Sequence, residues 1–307
     1  KEVVAVNSDK YSGSYVRHEA WREKGSNMKK QILIVGSGFA GMWAAVSAAR
    51  LSEQQGNNSL EIAVLAPLPE LRVRPRFYEE KVSTLVAPLT DLFAELDITF
   101  IAGHAEQIDT TAKTVLYRMS NGAHATASYD RLILATGSQT KRPPIAGLAD
   151  YAFDIDQLES AQVFERHLDS LALRPSTPER NTVVVCGGGF TGIELASELP
   201  ARLPARFGDN TESKIDVAER GPVIGGRYSD ALRKTIAEAS EALGVEWRLK
   251  SEVEAIDAHG VTLKNGERIA AATVVWTAGV EANPLSLQIG GERDSQGRLV
   301  VTETLQV

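Results

Sequence analysis

Two glycine-rich turns carry the residues of this sequence whose spacing can do chemistry. One lies in "ILIVGSGFAGMWAA", Ile32 to Ala45, and the other in "VVVCGGGFTGIELASEL", Val183 to Leu199. Each reads as an apolar strand, a G-x-G-x-x-G turn and the start of a helix, the context in which this spacing binds the pyrophosphate of a dinucleotide. Two such turns predict two dinucleotides on one chain. The alternative is a glycine turn of a doubly wound sheet that binds nothing.

Each glycine has a separate physical role in such a turn. The first permits the tight turn, the second lets the pyrophosphate approach the backbone, and the third brings helix and strand together. The helix N-terminus adds free N–H groups and the positive end of its dipole. The predicted cofactor-binding residues at the turns are Gly36, Gly38, Phe39, Ala40 and Gly41 in the first and Gly187, Gly189, Phe190, Thr191 and Gly192 in the second.

The strand that follows each turn should end in an acidic residue that binds the adenosine ribose. After the second turn, "SKIDVAERG" places Glu219 at the strand end. A carboxylate accepts from a ribose 2′-hydroxyl and repels a 2′-phosphate, so Glu219 favours NAD(H) over NADP(H), although Arg220 beside it weakens that preference. Glu219 could instead be a solvated strand-end charge. After the first turn the equivalent residue is Ala66, so that site must hold its ribose by other means.

The remaining composition excludes several classes of function. The net charge is −7, which argues against nucleic acid, and one cysteine, Cys186, excludes a disulfide framework and a cysteine-based zinc site. Cys186 ends a strand and is expected to be a small buried residue. The five histidines show no metal-ligand spacing. No apolar run reaches the roughly 18 residues of a membrane-spanning helix, and a cytoplasmic protein is expected.

Outside the two turns the sequence predicts further strands, turns and helices. Lys1 to Asn27 is expected to be a leader or tail without a fold of its own. Tyr151 to Leu173 is predicted to be a helix, "VEWRLKSEVEAID" from Val245 a strand, Asn265-Gly266 a tight hairpin, and the final "VVTETLQV" a strand. The fold class predicted is α/β with two Rossmann-like dinucleotide-binding domains.

Together these motifs resemble the FAD-dependent pyridine nucleotide oxidoreductases, and most closely the type II NADH:quinone dehydrogenases. The resemblance covers Met28 to Val307. The segments that carry it are "VGSGFAGMWAA", "RVRPRFYEE", "YDRLILATGS", "GGGFTGIELASEL" and "VVWTAGVEANPL". It implies that the first turn binds FAD and the second NADH. It also implies an FAD-binding domain over 28–148, an NAD(P)H-binding domain over 149–275 and a return into the FAD-binding domain over 276–307.

The resemblance also implies roles for residues outside the turns. Glu194, taken to lie in the first turn of its helix, either places a negative charge at a helix N-terminus or lines the junction of nicotinamide and flavin as the catalytic residue. Arg74 is the candidate cation beside the flavin pyrophosphate. Further predicted cofactor-binding residues are Ala105, Thr136, Gly137, Ala278 and Gly279.

Three features depart from the family pattern. Ala66 replaces an acidic residue, Glu281 follows "WTAGV" where a basic residue is common, and a further Gly-Asp flavin motif is absent before Val307. We therefore expect residues 1–307 to retain NAD(H) but to hold FAD weakly, and membrane contact to require a C-terminal region that lies beyond them.

The expected function is an FAD-dependent NADH dehydrogenase that reduces a quinone or another small acceptor. Two alternatives remain open at this point. One is a flavoprotein reductase of a redox protein, and the other is a nucleotide-binding protein without turnover.

Overall fold

The structure is a computed structural model that describes residues 29–56, 59–208 and 212–307. The expected leader, Lys1 to Asn27, lies outside these residues. The chain divides into two compact units. The first contains the residues up to Arg72, Val86–Ser138 and Ala282–Val307, and the second contains Val73–Leu85 and Gln139–Glu281.

The first unit is built on a four-stranded parallel sheet. Its strands are β1 (Lys30–Val35), β2 (Leu60–Ala66), β5 (Thr99–Ala102) and β9 (Arg131–Leu134), in the order β5-β2-β1-β9. Helix α1 (Phe39–Gln54) connects β1 to β2, and α2 (Thr90–Glu95) precedes β5. The strands are runs of β-branched and aliphatic residues, as expected where both faces of a parallel sheet are covered.

Smaller antiparallel elements complete the first unit. Strands β3 (Glu70–Arg72) and β4 (Val86–Pro88) pair with each other. Strands β6 (His104–Asp109), β7 (Thr114–Arg118) and β8 (His124–Ser128) form a three-stranded sheet. A short 3-10 helix, Pro284–Gln288, lies against β6, where the Gln288 side chain accepts from the Ile108 N–H at 2.6 Å.

The second unit repeats the parallel design. Its strands are β11 (Thr182–Cys186), β12 (Lys214–Glu219), β13 (Val245–Leu249) and β17 (Thr273–Trp276), which form a sheet in the order β13-β12-β11-β17. The helices of this unit are α3 (Leu148–Tyr151), α4 (Leu158–Ala172), α5 (Phe190–Phe207) and α6 (Asp230–Ala242). A three-stranded antiparallel sheet consists of β14 (Val253–Asp257), β15 (Gly260–Leu263) and β16 (Arg268–Ala270).

Two short strands mark the places where the chain passes between the units. These are β10 (Ser138–Thr140) and β18 (Val280–Ala282), which form a two-stranded sheet. Two 3-10 helices, Arg74–Arg76 and Val82–Thr84, lie in the segment 73–85 that belongs to the second unit. The passage points at 138/139 and 281/282 differ from the sequence-based boundaries at 148/149 and 275/276. Residues such as Lys141, whose N–H donates to the Gly279 carbonyl at 3.0 Å, belong with the second unit.

The predicted α/β class with parallel sheets is confirmed, whereas three local predictions are wrong. The segment from Val245 is two strands, because the backbone turns at Lys250, whose φ is +55°. The predicted helix from Tyr151 begins only at Leu158. The final eight residues form no strand, because the Thr302 N–H donates to the nearby Gln306 carbonyl rather than to a neighbouring strand. The predicted Asn265-Gly266 hairpin joins β15 to β16, with Gly266 at φ +83°.

Candidate functional site

The second glycine turn joins the end of β11 to the start of α5, and two of its glycines are required by the protein itself. Gly187 has φ +116°, a conformation that side chains disfavour. A Cβ on Gly192 would lie 1.9 Å from the Gly187 carbonyl oxygen. The first and third glycines of this turn are therefore needed to fold the strand, turn and helix.

Gly189 is different, because nothing in its surroundings requires a glycine. Its φ of −78° and ψ of 179° suit any residue, and no heavy atom lies within 4 Å of the position that a Cβ would take. It is the N-cap of α5, and no side chain caps the helix there. The open space in front of these free N–H groups fits an anionic group at close range, as a dinucleotide pyrophosphate requires.

Glu219, at the end of β12, reaches back to this turn. Its Oε2 accepts from the Gly188 N–H at 2.7 Å, and its Oε1 accepts from the Gly221 N–H at 2.6 Å. A Cβ on Gly188 would lie 2.9 Å from the Glu219 carboxylate and 2.7 Å from the Trp247 ring. Sequence reasoning did not single out Gly188 or Trp247. The triple glycine of "CGGGF" was the signal for Gly188, since the spacing motif requires only two of the three.

The strand that closes the second sheet contributes Thr277, Ala278 and Gly279. The Thr277 hydroxyl donates to the Gly187 carbonyl at 3.0 Å, and a Cβ on Gly187 would lie 2.8 Å from the Ala278 Cα. The structure thus brings together every residue predicted for the second turn, including Glu219, Ala278 and Gly279. An open recess lies beside them, lined by Thr140, Ile155, Asp156, Thr191, Trp276, Thr277, Gly279 and Val280.

Glu194 lies in the second turn of α5, not in the first as predicted. The helix begins at Phe190, so Glu194 is its fifth residue, and no acidic residue stands in the first turn. Because the influence of the helix dipole falls off within that first turn, the alternative based on a charge at the helix N-terminus loses its basis. Burial raises the pKa of the Glu194 carboxyl. A partly buried carboxyl with a raised pKa beside a glycine turn fits a functional role.

Arg74 lies in a 3-10 helix of the second unit and binds another side chain of that unit. Its Nη2 donates to the Asp156 Oδ1, and the Asp156 Oδ2 accepts from the Thr140 N–H at 3.1 Å. Asp156 was not identified from sequence, and no motif pointed to it. In this structure the Arg74 guanidinium is paired with a carboxylate that lines the recess, and its predicted role beside a flavin pyrophosphate stays a prediction.

In the first glycine turn, between β1 and α1, the fold again requires the first and third glycines but not the second. Gly36 has φ +110°, and a Cβ there would lie 2.4 Å from the Ala135 carbonyl oxygen. A Cβ on Gly41 would lie 1.8 Å from the Gly36 carbonyl oxygen. Around Gly38 nothing lies within 4 Å, and its φ of −65° is ordinary. The open second glycine therefore recurs in the first unit.

Strand register confirms that Ala66 is the counterpart of Glu219. The last residue of β1, Val35, pairs with Leu65, and the last residue of β11, Cys186, pairs with Ala218. The residue after Leu65 is Ala66, which ends β2, and the residue after Ala218 is Glu219, which ends β12. Ala66 is buried among apolar residues, so it offers no polar group to a ribose.

The Ser37 side chain links the first glycine turn to the chain after β2, as the Glu219 side chain links the second glycine turn to the end of β12. Its hydroxyl lies 3.2 Å from the Leu68 carbonyl and 3.1 Å from the Glu70 carbonyl, and donates to both. The turn and the chain after β2 are thereby held together by a neutral side chain on the turn itself. Sequence reasoning missed Ser37, although the S in "GSG" was visible.

The remaining predicted residues of the first site lie near the carboxyl end of the sheet. Thr136 and Gly137 follow Ala135, which packs at the glycine turn, and Gly137 has φ +66°. Ala105 lies on β6, shortly after the end of β5, and packs against the cluster that contains Val35. Ligands of open α/β sheets bind beyond the carboxyl ends of the strands, where these residues are found.

Cys186 and His167 are buried or half-buried, and their surroundings indicate structural roles. Cys186 is completely buried, and burial raises the pKa of its thiol to about 12, so it is no nucleophile at neutral pH. Burial lowers the pKa of His167 to about 4, and its Nε2 lies 3.0 Å from the Thr273 hydroxyl. Within residues 29–56, 59–208 and 212–307, no group of three or more possible ligands could hold a metal ion. No helix of that same part is long and apolar enough to cross a membrane.

Comparisons with known proteins agree with this geometry. The family model described as pyridine nucleotide-disulphide oxidoreductase matches residues 30–307. An NADH dehydrogenase-like protein of Mycobacterium tuberculosis is 38% identical over 281 residues, which cover 90% of this chain and 69% of the relative. A demethylphylloquinone reductase of Synechocystis is 29% identical over 290 residues, covering 92% of this chain and 70% of that protein.

Solved structures share the fold at lower identity. NDH2 from Plasmodium falciparum in complex with NADH is similar with a TM-score of 0.75 and 16% identity, over 89% of this chain and 59% of that one. The resemblance predicted from the motifs is confirmed by the family model and by the relatives. The chain belongs to the pyridine nucleotide-disulphide oxidoreductase family.

Proposed function

We propose that this chain is an FAD-dependent NADH dehydrogenase that takes hydride from NADH and passes electrons to a quinone. One observation carries the proposal. In both units the second glycine of the turn stands in open space at a helix N-terminus, although the protein does not need a glycine there. Its purpose is then to let a ligand approach, and each unit offers one such place.

Family membership and the named relatives support the chemistry. Membership of this family supports FAD and NAD(H) as the two cofactors. Two relatives, which this chain matches over about 70% of their length, are named as quinone reductases. When bound, FAD supplies hydride acceptance and onward electron transfer. The protein's own contribution is position, because the two turns fix the two pyrophosphates and so fix where the reacting rings can lie.

We assign the first turn to FAD and the second to NADH. Glu219 supports the second assignment, because a carboxylate at a strand end suits an unphosphorylated ribose. Thr191 and Gly279 line the recess beside the same turn, and Glu194 is the fifth residue of the helix that follows the turn. We propose that Glu194 lies near the nicotinamide, where its raised pKa brings its protonation equilibrium closer to neutral pH.

We further propose that the acceptor is a quinone and that the protein is cytoplasmic. The quinone rests on the names of relatives that this chain matches over part of their length. The location rests on composition, and contact with a membrane surface stays a prediction.

An anaerobic titration tests the proposal. Protein loaded with FAD is mixed with NADH while the flavin absorbance is followed, and a short-chain quinone is then added. We expect bleaching on the first addition and recovery on the second. Bleaching without recovery by quinone, but with recovery by a ferredoxin, would move the assignment to a redox-protein reductase. Flavin that NADH does not bleach would mean a nucleotide-binding protein without turnover, the reading that Ala66 favours.

A further inference from the structure

The strand order of the second sheet, β13-β12-β11-β17, separates the two halves of a dinucleotide that binds at the second turn. Its pyrophosphate lies at the start of α5, which follows β11. Glu219, the proposed ribose ligand, ends β12 on one side of β11. The nicotinamide half then extends toward β17 on the other side, where Trp276, Thr277 and Gly279 line the open recess.

Asp156 places a carboxylate in the wall of this recess. It lies just before α4, and its side chain is 12% exposed. The Asp156 Oδ2 accepts from the Thr140 N–H at 3.1 Å and from the Gln157 side-chain amide at 3.0 Å. The Asp156 N–H donates to the Asp154 Oδ1 at 3.0 Å. These three hydrogen bonds hold the carboxylate at the recess without the help of an arginine.

Arg74 supplies the charge that compensates Asp156. Its Nη2 donates to the Asp156 Oδ1, and its side chain is 31% exposed. The ion pair therefore leaves this part of the recess wall with little net charge. Because the other hydrogen bonds of Asp156 do not involve Arg74, loss of the arginine would change the charge of the wall and leave the carboxylate in place.

We infer that the pair of Arg74 and Asp156 sets how strongly the recess discriminates between oxidised and reduced nicotinamide. This inference rests on the proposed binding of NADH at the second turn. The nicotinamide ring is neutral in NADH and carries one positive charge in NAD⁺. A carboxylate without a partner would attract the oxidised ring and delay its release, since opposite charges attract strongly at a poorly hydrated site. With Arg74 beside it, Asp156 attracts that ring much less, so the product leaves while the binding of neutral NADH is little affected.

Titrations with three ligands test the inference on oxidised protein with saturating FAD. NAD⁺ has a cationic ring, tetrahydro-NAD has a neutral ring that cannot donate hydride, and ADP-ribose has the pyrophosphate but no ring. In Arg74→Gln, we expect the ratio of the Kd for NAD⁺ to the Kd for tetrahydro-NAD to fall about two- to fivefold, as is typical of partly exposed charge pairs. In Asp156→Asn, which leaves the cation uncompensated, the ratio should rise by a similar factor. The Kd for ADP-ribose should stay unchanged in both variants.

Arg142→Gln is the matched control. It also removes an arginine from an ion pair of the same unit, because the Arg142 Nη2 donates to the Asp154 Oδ2, but Asp154 does not line the recess. This variant should leave all three dissociation constants unchanged.

The inference would be overturned by an unchanged ratio in folded Arg74→Gln, by a ratio that moves the same way in Arg74→Gln and Asp156→Asn, or by an equal change in the Kd for ADP-ribose. In each of these cases, flavin that NADH bleaches would leave the proposed function standing. If folded wild-type protein bound none of the three ligands, the proposed function and this inference would both be wrong.

Discussion

At the scale of single residues, Glu219 combines two tasks that the sequence suggested only in part. Its carboxylate accepts from the Gly188 and Gly221 N–H groups, so it supports the glycine turn, in addition to the ribose-binding role that we propose for it. Loss of its charge should therefore alter donor preference, while loss of its hydrogen bonds should weaken the turn. A substitution that removes the charge but keeps an acceptor separates the two tasks.

We expect Glu219→Gln to narrow the preference for NADH over NADPH. The amide no longer repels a 2′-phosphate, and its oxygen can still accept from one backbone N–H. Steady-state kinetics with each donor gives the ratio of kcat/KM for NADH to kcat/KM for NADPH. This ratio should fall about tenfold, which corresponds to about 1.4 kcal/mol. Glu246→Gln, on the neighbouring strand and exposed, is the control. A wild-type enzyme that uses both donors equally would contradict the role of Glu219.

His167 makes stability depend on pH. Its pKa is about 4 in the folded chain and 6.5 in the unfolded one, so the unfolded state binds more protons between these values. The stabilisation is present above pH 6.5 and is lost as pH falls through about 4. Because the ring is half-buried, we expect a loss of about 1–2 kcal/mol rather than the full value of the shift.

Urea unfolding at pH 7.5 and pH 5 tests this dependence. The wild-type free energy of unfolding should decrease more over this interval than that of His167→Gln, which keeps a polar group near Thr273 but does not titrate. The difference between the two decreases isolates His167 from the other titrating groups. Equal decreases in the two proteins would show that His167 is not responsible.

At the scale of elements, α5 does more than present its N-terminus to a ligand. Its later turns hold the segment 73–85 through two arginines. Arg202, only 3% exposed, donates to the Tyr78 carbonyl, and Arg206 donates to Glu80 and to Asp169, the latter at 3.0 Å. The Arg206 hydrogen bond is the main cause that lowers the pKa of Glu80. One helix therefore joins the dinucleotide turn to the segment that carries Arg74.

Arg206→Met should loosen this segment. The aliphatic stem remains, but Asp169 loses its partner and Glu80 keeps only the longer ion pair with Arg202 at 3.9 Å. We expect a loss of about 1 kcal/mol or less because both carboxylates are exposed to water. Hydrogen exchange of residues 73–85 should accelerate, with little change in the strands of the sheet. Arg233→Met, which removes an exposed ion pair with Asp230 on α6, is the control. Unchanged exchange in the segment would mean that Arg206 does not hold it.

At the scale of the whole molecule, the two units repeat one design with different details. Each has a four-stranded parallel sheet, a glycine turn between one of its strands and the helix that follows, and an open second glycine. The second unit has a carboxylate at the end of its second strand, whereas the first has Ala66 and relies on Ser37 to hold the turn. This asymmetry is the structural basis for expecting weaker FAD binding in this chain.

Two matched substitutions test the division of labour between the units. Gly38→Ala should lower the flavin content and leave NADH binding in place, and Gly189→Ala should do the reverse, because each Cβ fills the approach of one pyrophosphate. Neither should destabilise the fold. Alanine for glycine at an ordinary φ stabilises by about 0.4–1 kcal/mol.

Gly290→Ala is the control for this pair, since Gly290 also has open surroundings and no positive φ. Flavin content, NADH titration and thermal unfolding are measured for all three variants. The opposite pattern of losses would reverse the assignment of the two sites. Loss of folding in both turn variants would mean that the second glycines serve the protein rather than a ligand.

The sequence by itself determined the features that depend on a few neighbouring residues. The glycine spacing, the apolar strands before it and the strand-end residues Glu219 and Ala66 are local patterns, and each is set by the backbone conformation or burial that it requires. The α/β class and the order of the two units followed from these patterns, as did the positions of both turns.

Only the tertiary structure decided which distant groups meet. Arg74 and Asp156 are 82 residues apart and Gly188 and Glu219 are 31 apart, and no local pattern encodes such pairs. The placement of Glu194 in the second turn of α5 depended on where that helix begins. Tyr228 reaches Phe190 because a loop folds back over a helix start. Such contacts depend on how packed elements bring side chains together, and that arrangement is a property of the whole fold rather than of any short segment.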